Sequence, residues 1–279
     1  MNKTADLLKL ISGNQPFLEK GVCFGSPRPC HVFMVDLIRR VADGRGSGPA
    51  PVHVLEVGSW LGASLLTWDA AIGKYNSGDG TITSVDPHSP YFTPPPGATE
   101  FEQQFARIMA TGLAYEIFRH NTGCIKASGG FAHLRAPSAN ALPRLRDSKF
   151  NIVYVDGDHR FSAVKYDLEE SQRLVADGGF LCGDDLTVQF DDCDADFLLE
   201  NREKESAQLA GSDARFFPGV TAAVGDVFGR LPSRHGFWAV QKNGDSWDAV
   251  SFADIDVDVP AHFSPALRDA ILRYFDAED

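Results

Sequence analysis

The spacing of apolar residues changes near residue 50 and divides the chain into two regions. Before this point, DLLKLI and HVFMVDLIRRVADG place apolar residues at helical spacing, which predicts a helical N-terminal extension over residues 1–50. The run GRGSGPAP that follows is typical of a flexible joint. Beyond it, short apolar runs alternate with amphipathic ones, a pattern typical of a parallel sheet with helices packed against it.

Five apolar runs have the length of buried strands. In chain order they are VHVLEVG, TITSVDP, FAHLRAPS with its turn, NIVYVDGDH and GFLCGDD. The segment SAVKYDLEESQRLVADGG predicts a helix that ends at its glycines. Further along, GVTAAVGDVFG and HGFWAVQKN are predicted to be the closing strands. We therefore expect an α/β domain over residues 51–245 and a C-terminal tail with a final helix over residues 246–279.

Composition favours a globular protein that acts on small molecules. The 279 residues are 43% hydrophobic and 23% charged, and no apolar run approaches the roughly 20 residues that span a bilayer. The N-terminus lacks the long apolar stretch of a secretory signal, so we expect a cytoplasmic protein without a membrane partner. The net charge of -12 argues against nucleic acid, because a phosphate backbone requires clustered Lys and Arg. The five cysteines form no CxxC pair and are expected to be free thiols.

The stretch LEVGSWLGAS joins the first predicted strand to the following helix. Gly58 permits a tight turn, and Gly62 and Ser64 open the helix, whose first amides are free to bind a polar ligand. The spacing differs from the dinucleotide fingerprint GxGxxG, so a plain tight turn is the alternative. Asp86, at the end of the second strand, is placed to accept hydrogen bonds from both hydroxyls of a ribose, or else to cap the turn before Pro87.

Acidic residues end the fourth and fifth predicted strands. Asp156 ends the fourth, and Asp184 and Asp185 end the fifth. Because the carboxyl ends of parallel strands meet at one edge of a sheet, we expect the three carboxylates to lie together. A hard divalent cation such as Mg²⁺ would compensate their charge. The alternative is that Asp184 and Asp185 form a solvated turn.

His159 follows Asp156 by three residues and is expected at the mouth of the same site. Its ordinary pKa near 6.5 suits it to take a proton from a hydroxyl at neutral pH. Asp158 is the alternative base, or it orients His159, or it caps the helix that begins near Phe161.

In this order, LEVGSWLGAS, TSVDP, VYVDGDH and GGFLCGDD resemble the motifs of the class I S-adenosylmethionine-dependent methyltransferases. Within that class they are similar to the metal-dependent O-methyltransferases that tailor macrolide sugars, aminocoumarins and cephalosporins, over about residues 52–190. The resemblance implies a Rossmann-like α/β fold, with a mostly parallel seven-stranded sheet and helices on both faces. It also implies that Asp156, Asp184 and Asp185 hold Mg²⁺ and that His159 or Asp158 is the base.

The resemblance also implies a site for S-adenosylmethionine. Glu56, Gly58 and Ser64 would surround its methionine part, Asp86 would hold its ribose, and Ser138 would border its adenine. Members of the family often have a GDS-like turn where this chain has RAPSA, so the adenine assignment rests on Ser138 and the helix that follows. The full cofactor-binding set that we predict is Glu56, Gly58, Ser59, Gly62, Ser64, Asp86, Ser138 and Asp156.

The predicted function is Mg²⁺-assisted transfer of a methyl group from S-adenosylmethionine to a hydroxyl of a small molecule, such as a sugar, a phenol or another natural-product intermediate. A metal-independent N- or C-methyltransferase, whose acidic cluster would hold a substrate amine, is one alternative. The other is a non-catalytic nucleotide-binding module in which GDD binds a metal diphosphate. A homo-oligomer is also compatible with the chain, since residues 1–50 could pack on a neighbouring subunit.

Overall fold

The computed structural model describes residues 13, 16–18, 29–44, 50–94, 98, 100–209 and 214–276. The predicted helical run DLLKLI, Cys23 and most of the GRGSGPAP joint lie outside these residues. The described cysteines are free thiols, as predicted: Cys30, Cys124, Cys182 and Cys193. Within the same residues, no helix has both the length and the apolar character that crossing a membrane requires.

Strands and helices alternate along most of the chain. The strands are β1 (Val52–Val57), β2 (Gly80–Val85), β3 (Phe131–Leu134), β4 (Phe150–Val155), β5 (Val175–Gly183), β6 (Ala207–Gln208), β7 (Arg215–Phe216), β8 (Ser233–Arg234), β9 (Phe237–Asn243) and β10 (Ser246–Ala249). The helices are α1 (His31–Asp43), α2 (Ala63–Tyr75), α3 (Glu100–Ala110), α4 (Leu113–Thr122), α5 (Ser138–Ala141), α6 (Phe161–Leu174), α7 (Ala195–Asn201), α8 (Pro218–Phe228) and α9 (Pro265–Asp276).

The central sheet has the strand order β10-β9-β5-β4-β1-β2-β3, with β8 paired to β9 off this path. Strands β3, β2, β1, β4 and β5 are parallel, whereas β9 runs antiparallel to β5 and β10 antiparallel to β9. The prediction of a mostly parallel sheet is therefore confirmed. The order of the strands reverses between β1 and β4, and such a reversal opens a crevice at the carboxyl ends of the two strands.

Apolar side chains cover both faces of this sheet. Helices α1 and α2 pack on one face, where Phe33 is fully buried, and α6 and α8 pack on the other, where Leu168 is fully buried. Val54 and Leu55 of β1 pack against opposite faces of the sheet, because successive side chains of a strand point to alternate faces. The predicted arrangement with helices on both faces is confirmed.

The division of the chain at residues 50 and 245 stays a prediction. On either side of the α/β domain, elements contact the central sheet: α1 contributes to the core beside β1, and β10 pairs with β9. The final helix is present as α9, and its Ile271 and Phe275 are buried in the same cluster as α1.

The prediction of a closing strand over GVTAAVGDVFG is wrong, because this segment forms α8. Pro218 occupies its first turn, where the fixed φ of proline favours a helix. Val220, Ala223 and Val224 then fall at helical spacing on one face and pack into the core. The small and apolar composition of the segment hides this spacing.

The prediction that glycines end the crossover helix is also wrong. Helix α6 ends at Leu174, and Val175 already has extended backbone angles, with φ -70° and ψ 128°. The residues VADGG belong to β5 instead. Gly178, with a φ of +74°, lies where the pairing of β5 with β4 shifts register, so this glycine allows an irregularity in the strand.

The turn after β1 provides a test of the packing between β1 and β4. Gly58 has a φ of +84°, and a Cβ there would lie 2.2 Å from the backbone oxygen of Asp156. Gly78 has a similar φ of +79°, but a Cβ there would meet nothing within 4 Å. Gly78→Ala should therefore cost only the left-handed backbone penalty of roughly 1–2 kcal/mol, whereas Gly58→Ala should cost about 2 kcal/mol more because it also overpacks the strand end.

Chemical denaturation of the two variants and the wild type measures both changes in the free energy of unfolding. Equal destabilisation by the two substitutions would show that the contact between Gly58 and the end of β4 does not constrain the fold.

Candidate active site

A cavity of about 350 Å³ lies at the carboxyl ends of the parallel strands. Its wall includes Gly58 after β1, Asp86 after β2, Asp156 after β4 and Asp184 after β5. It therefore occupies the crevice at the reversal of strand order, and its volume is within the range of about 300–1,000 Å³ typical of small-molecule sites. The predicted cofactor-binding residues that line it are Gly58, Ser59, Ser64, Asp86, Ser138 and Asp156.

The turn after β1 is held between its two neighbouring strands. The N–H of Gly58 donates to the carbonyl of Val85 at 2.9 Å, and the N–H of Asp156 donates to the carbonyl of Val57 at 2.8 Å. Gly62, with a φ of +85°, then precedes α2 as its N-cap. The first amides of a helix have no partner within the helix, so those of α2 are available to a polar ligand.

Glu56 lies behind the cavity rather than on its wall, and it is fully buried. Its carboxyl accepts hydrogen bonds from the hydroxyl of Ser64 at 2.8 Å and from the indole N–H of Trp68 at 2.9 Å. Burial raises the pKa of Glu56 to about 8, against the effect of these hydrogen bonds. Ser64 lines the cavity, so Glu56 is linked to the cavity through its hydrogen bond with Ser64.

Asp86 is the acceptor that organises the loops around the cavity. One carboxylate oxygen accepts the backbone N–H groups of Ser59 and Trp60, at 2.9 and 3.1 Å. The other accepts the N–H of His88 at 2.6 Å. The residue predicted to hold a ribose therefore also fixes the turn after β1, and the oxygen that accepts the N–H of His88 has a further lone pair for a ligand hydroxyl.

Ser138, the first residue of α5, lies beside the carboxyl of Asp167 of α6. Both residues line the cavity. Asp167 is only 3% exposed. Burial raises the pKa of Asp167 to about 7, while the nearby hydroxyl of Ser138 acts in the opposite direction. This end of the cavity therefore has a buried carboxyl that motifs at the strand ends do not predict.

Three of the predicted metal and catalytic residues come together. Ligand atoms of Asp156, His159 and Asp185 lie within 4.8 Å of one another. Nε2 of His159 lies 3.3 Å from Asp185 and 3.8 Å from Asp156. Among the described residues, Asp184 is outside this group, although it lines the same cavity. One of its oxygens accepts the N–H of Asp185 at 2.8 Å.

The structure adds Glu205 to this group. Nδ1 of His159 lies 2.7 Å from Glu205, whose same oxygen accepts the hydroxyl of Tyr91 at 3.0 Å. Burial lowers the pKa of His159, but the carboxylates of Glu205, Asp156 and Asp185 together raise it well above 6.5. The imidazole thus supplies positive charge between carboxylates on both of its sides.

Asp158, the alternative base, is bonded to Arg160. One of its oxygens accepts the backbone N–H of Arg160 at 3.0 Å, and both accept hydrogen bonds from the guanidinium. Arg160 directly precedes α6, and no side chain caps this helix, so Asp158 fixes the residue before the helix rather than capping it as the alternative interpretation predicts. Asp158 nevertheless lines the cavity.

Aromatic side chains form the wall opposite the strand ends. Trp60 stacks on Phe105 of α3 with ring centroids 4.4 Å apart. Tyr91 makes a T-shaped contact with Phe105, with ring centroids 6.0 Å apart. Trp60, Phe105 and Tyr91 all line the cavity. Such a wall suits a ligand with a flat or apolar surface.

Sequence reasoning missed three residues of the site. Tyr154 donates to Asp156 at 3.0 Å, and the two-residue spacing along β4 places both on one side of the strand. Asp167 stands between Val164 and Leu168 on the buried face of α6, where a charged residue is unexpected. Glu205 lies 46 residues after His159 in an acidic run, which has no signal that singles it out.

A family model matches the part of the chain that contains the strand-end motifs. Residues 55–186 match the family model described as a methyltransferase domain. This segment begins within β1 and ends just after Asp185, so it contains the predicted motifs at the strand ends. No curated protein shows a significant match to the chain.

Three solved structures are similar to the chain at low sequence identity. The O-methyltransferase NovP is 13% identical, with a TM-score of 0.53 over 86% of this chain and 98% of NovP. CalS11, a TDP-rhamnose 3'-O-methyltransferase of calicheamicin biosynthesis, is 18% identical, with a TM-score of 0.41 over 87% of this chain and 93% of CalS11. TomG from Streptomyces achromogenes, solved with S-adenosylmethionine, is 14% identical, with a TM-score of 0.40 over 89% of this chain and 87% of TomG.

The family match confirms the resemblance that the strand-end motifs indicate, and the likeness to NovP confirms the Rossmann-like fold. Residues 55–186 match the methyltransferase-domain family, and the protein is an S-adenosylmethionine-dependent methyltransferase with a Rossmann-like fold.

Proposed function

We propose that this protein is an O-methyltransferase that uses Mg²⁺ and S-adenosylmethionine to methylate a hydroxyl of a small molecule, such as a sugar, a phenol or another natural-product intermediate. The observation that carries the proposal is the convergence of Asp156, His159 and Asp185 at the cavity, with ligand atoms within 4.8 Å. NovP, which has the same fold, is an O-methyltransferase, and this supports O-methylation as the reaction class.

The donor atoms at this position fit a hard divalent cation. Asp156 and Asp185 supply carboxylate oxygens from two neighbouring strands, and oxygen ligands are those that Mg²⁺ prefers. The hydroxyl of Tyr154 donates to Asp156 and fixes one of its oxygens, which leaves the other to face His159 and the cavity. A cation held by Asp156 and Asp185 would lower the pKa of a substrate hydroxyl.

His159 is the residue that we assign to receive the hydroxyl proton. Its Nδ1 is bonded to Glu205, so Nε2 faces Asp185, Asp156 and the cavity. A carboxylate partner on one imidazole nitrogen fixes the ring and its tautomer, and thereby leaves the second nitrogen to act. A cation on Asp156 and Asp185 would neutralise two of the carboxylates that raise the pKa of His159, so that a neutral imidazole could accept the hydroxyl proton at Nε2. The oxygen would form the new bond to the methyl carbon as the bond from that carbon to the cofactor sulfur breaks.

Asp158 is the weaker assignment for the base. Its two oxygens are bonded to Arg160, so this carboxylate is already engaged in an ion pair and is not free to face a substrate hydroxyl. The cofactor supplies an electrophilic sulfonium methyl group, so positioning and deprotonation of the acceptor are what the chain must contribute. The products are a methyl ether and S-adenosylhomocysteine.

The first prediction concerns the cation. Asp156→Asn and Asp185→Asn should each weaken Mg²⁺ binding at least about 100-fold, because each removes a charged oxygen ligand. Asp184→Asn should have a smaller effect, since its amide oxygen still accepts the N–H of Asp185. Isothermal titration with Mg²⁺ in the presence of S-adenosylhomocysteine measures the three affinities.

Asp196→Asn is the control, because Asp196 is an exposed acid on α7 and lies away from the cavity wall. A wild-type enzyme that methylates an amine or a carbon acceptor at full rate in EDTA would contradict the metal assignment and favour the metal-independent alternative. If the wild type does not bind S-adenosylhomocysteine, that result would instead contradict the use of S-adenosylmethionine as the cofactor.

The second prediction concerns Glu205. Glu205→Gln should lower kcat by about 10- to 100-fold, which is typical for loss of a carboxylate that orients a catalytic imidazole. The Kd for S-adenosylhomocysteine should not change, because Glu205 is bonded to His159 and Tyr91 and does not line the cavity. Steady-state kinetics over a panel of hydroxyl acceptors, together with calorimetry, measures both quantities.

Glu203→Gln provides a matched control, since Glu203 is an exposed neighbour whose carboxylate bonds to Ser162. An unchanged kcat in Glu205→Gln, with a lowered kcat in Asp158→Asn, would assign the base to Asp158 instead.

A further inference from the structure

The side chain of Tyr91 connects the aromatic wall of the cavity to the proposed base. Its hydroxyl donates to the oxygen of Glu205 that lies 2.7 Å from Nδ1 of His159. Its ring makes a T-shaped contact with Phe105, which in turn stacks on Trp60. The three aromatic residues and His159 line one cavity. A molecule whose hydroxyl reaches Nε2 of His159 therefore shares this cavity with the aromatic wall.

The wall offers a flat and apolar surface to such a molecule. The rings of Trp60 and Phe105 are inclined by only 22° to each other, and Met109 lines the cavity with them. The hydroxyl of Tyr91 is already bonded to Glu205. A sugar carries hydroxyls around most of its ring, and each one that is buried without a partner costs free energy. A planar aromatic ring, in contrast, gains free energy when it packs on aromatic side chains.

The charges around the cavity restrict the acceptor further. Neither Lys nor Arg lines the cavity in the part of the chain that the structure describes, whereas six aspartates do: Asp86, Asp156, Asp158, Asp167, Asp184 and Asp185. Arg160 lies near the ring of Tyr91, but it is paired with Asp158. A divalent cation would offset only part of the negative charge. A carboxylate or phosphate on the acceptor would therefore meet like charges without a cationic side chain to pair with, which costs free energy.

We propose that the methyl acceptor is a phenol or catechol without a carboxylate or phosphate group, whose ring packs against Tyr91 and Phe105. The flat wall selects an aromatic ring over a sugar, and the acidic surroundings exclude anionic acceptors such as nucleoside diphosphate sugars. The phenol oxygen would bond to the methyl carbon as the bond from that carbon to sulfur breaks, and the phenol proton would pass to Nε2 of His159. This inference rests on the proposed O-methylation and narrows its acceptor to one class.

Three probes with neighbouring hydroxyls separate shape from charge. Catechol is flat and neutral, vicinal cis-cyclohexanediol is puckered and neutral, and protocatechuate is flat and anionic. Calorimetry on the wild type with S-adenosylhomocysteine and Mg²⁺ gives a Kd for each probe. Catechol should bind at least about 10-fold more tightly than protocatechuate, because the added carboxylate meets like charges. Catechol should also bind at least about 10-fold more tightly than the cyclohexanediol, because only the flat ring packs on the wall and is acidic enough to favour the cation.

Phe105→Leu isolates the contribution of the wall, because it removes the ring and keeps an apolar side chain. This variant should reduce the preference for catechol over the cyclohexanediol by about 3- to 10-fold, which is the size of one aromatic contact. Phe92→Leu is the matched control, since Phe92 also stacks on Phe105 but does not line the cavity. The control should keep the preference of the wild type.

Two results overturn the proposal: protocatechuate or the cyclohexanediol binds the wild type as tightly as catechol does, or Phe105→Leu keeps the full preference for catechol. If Phe105→Leu does not fold, a crystal structure of the wild type with S-adenosylhomocysteine, Mg²⁺ and catechol decides the question. A catechol ring whose centroid lies within about 7 Å of the ring centroid of Phe105 or Tyr91 supports the proposal, and a ring elsewhere refutes it.

The same titrations distinguish this inference from the proposed function. If S-adenosylhomocysteine and Mg²⁺ bind but catechol does not, only the acceptor class is wrong. If S-adenosylhomocysteine itself does not bind, the proposed function is contradicted, and the acceptor class with it.

Discussion

The site depends on one close backbone contact, between the turn after β1 and the end of β4. Gly58 lies so near the carbonyl of Asp156 that no side chain fits between them. Hydrogen bonds from Gly58 to β2 and from Asp156 to β1 hold the three strand ends together. This contact places the cofactor turn and the first acidic residue of the proposed metal site side by side. The crevice at the reversal of strand order therefore contains both parts of the proposed reaction.

Charge compensation is the second constraint on the site. Asp156 and Asp185 face His159, which in turn faces Glu205, so one imidazole lies among three carboxylates. Carboxylates that converge in a partly buried site repel one another unless positive charge lies between them. Tyr154 and Arg160 have complementary roles, because one orients Asp156 and the other pairs with Asp158. In the proposed mechanism, this division leaves Asp156 for a cation and removes Asp158 from competition with His159.

The sequence predicts those features that depend on strand topology. Apolar runs identify the five parallel strands, and parallel connections then bring Asp156 and Asp185 to one edge although 29 residues separate them. Features that depend on packing between distant segments are not predictable in this way. Glu205 reaches His159 only because the chain returns after α7, and α8 is so rich in small and apolar residues that its helical spacing is obscured. Asp167 did leave a signal, since it interrupts the apolar face of α6.

The central claim is that the strand-end carboxylates hold a divalent cation beside the cofactor. Anomalous diffraction from crystals of the wild type grown with S-adenosylhomocysteine and Mn²⁺, which shares the oxygen ligands of Mg²⁺, tests it most directly. The account predicts an anomalous peak bonded to Asp156 and Asp185, with His159 still bonded to Glu205. Well-ordered S-adenosylhomocysteine in the cavity, without a peak at these carboxylates, would contradict it.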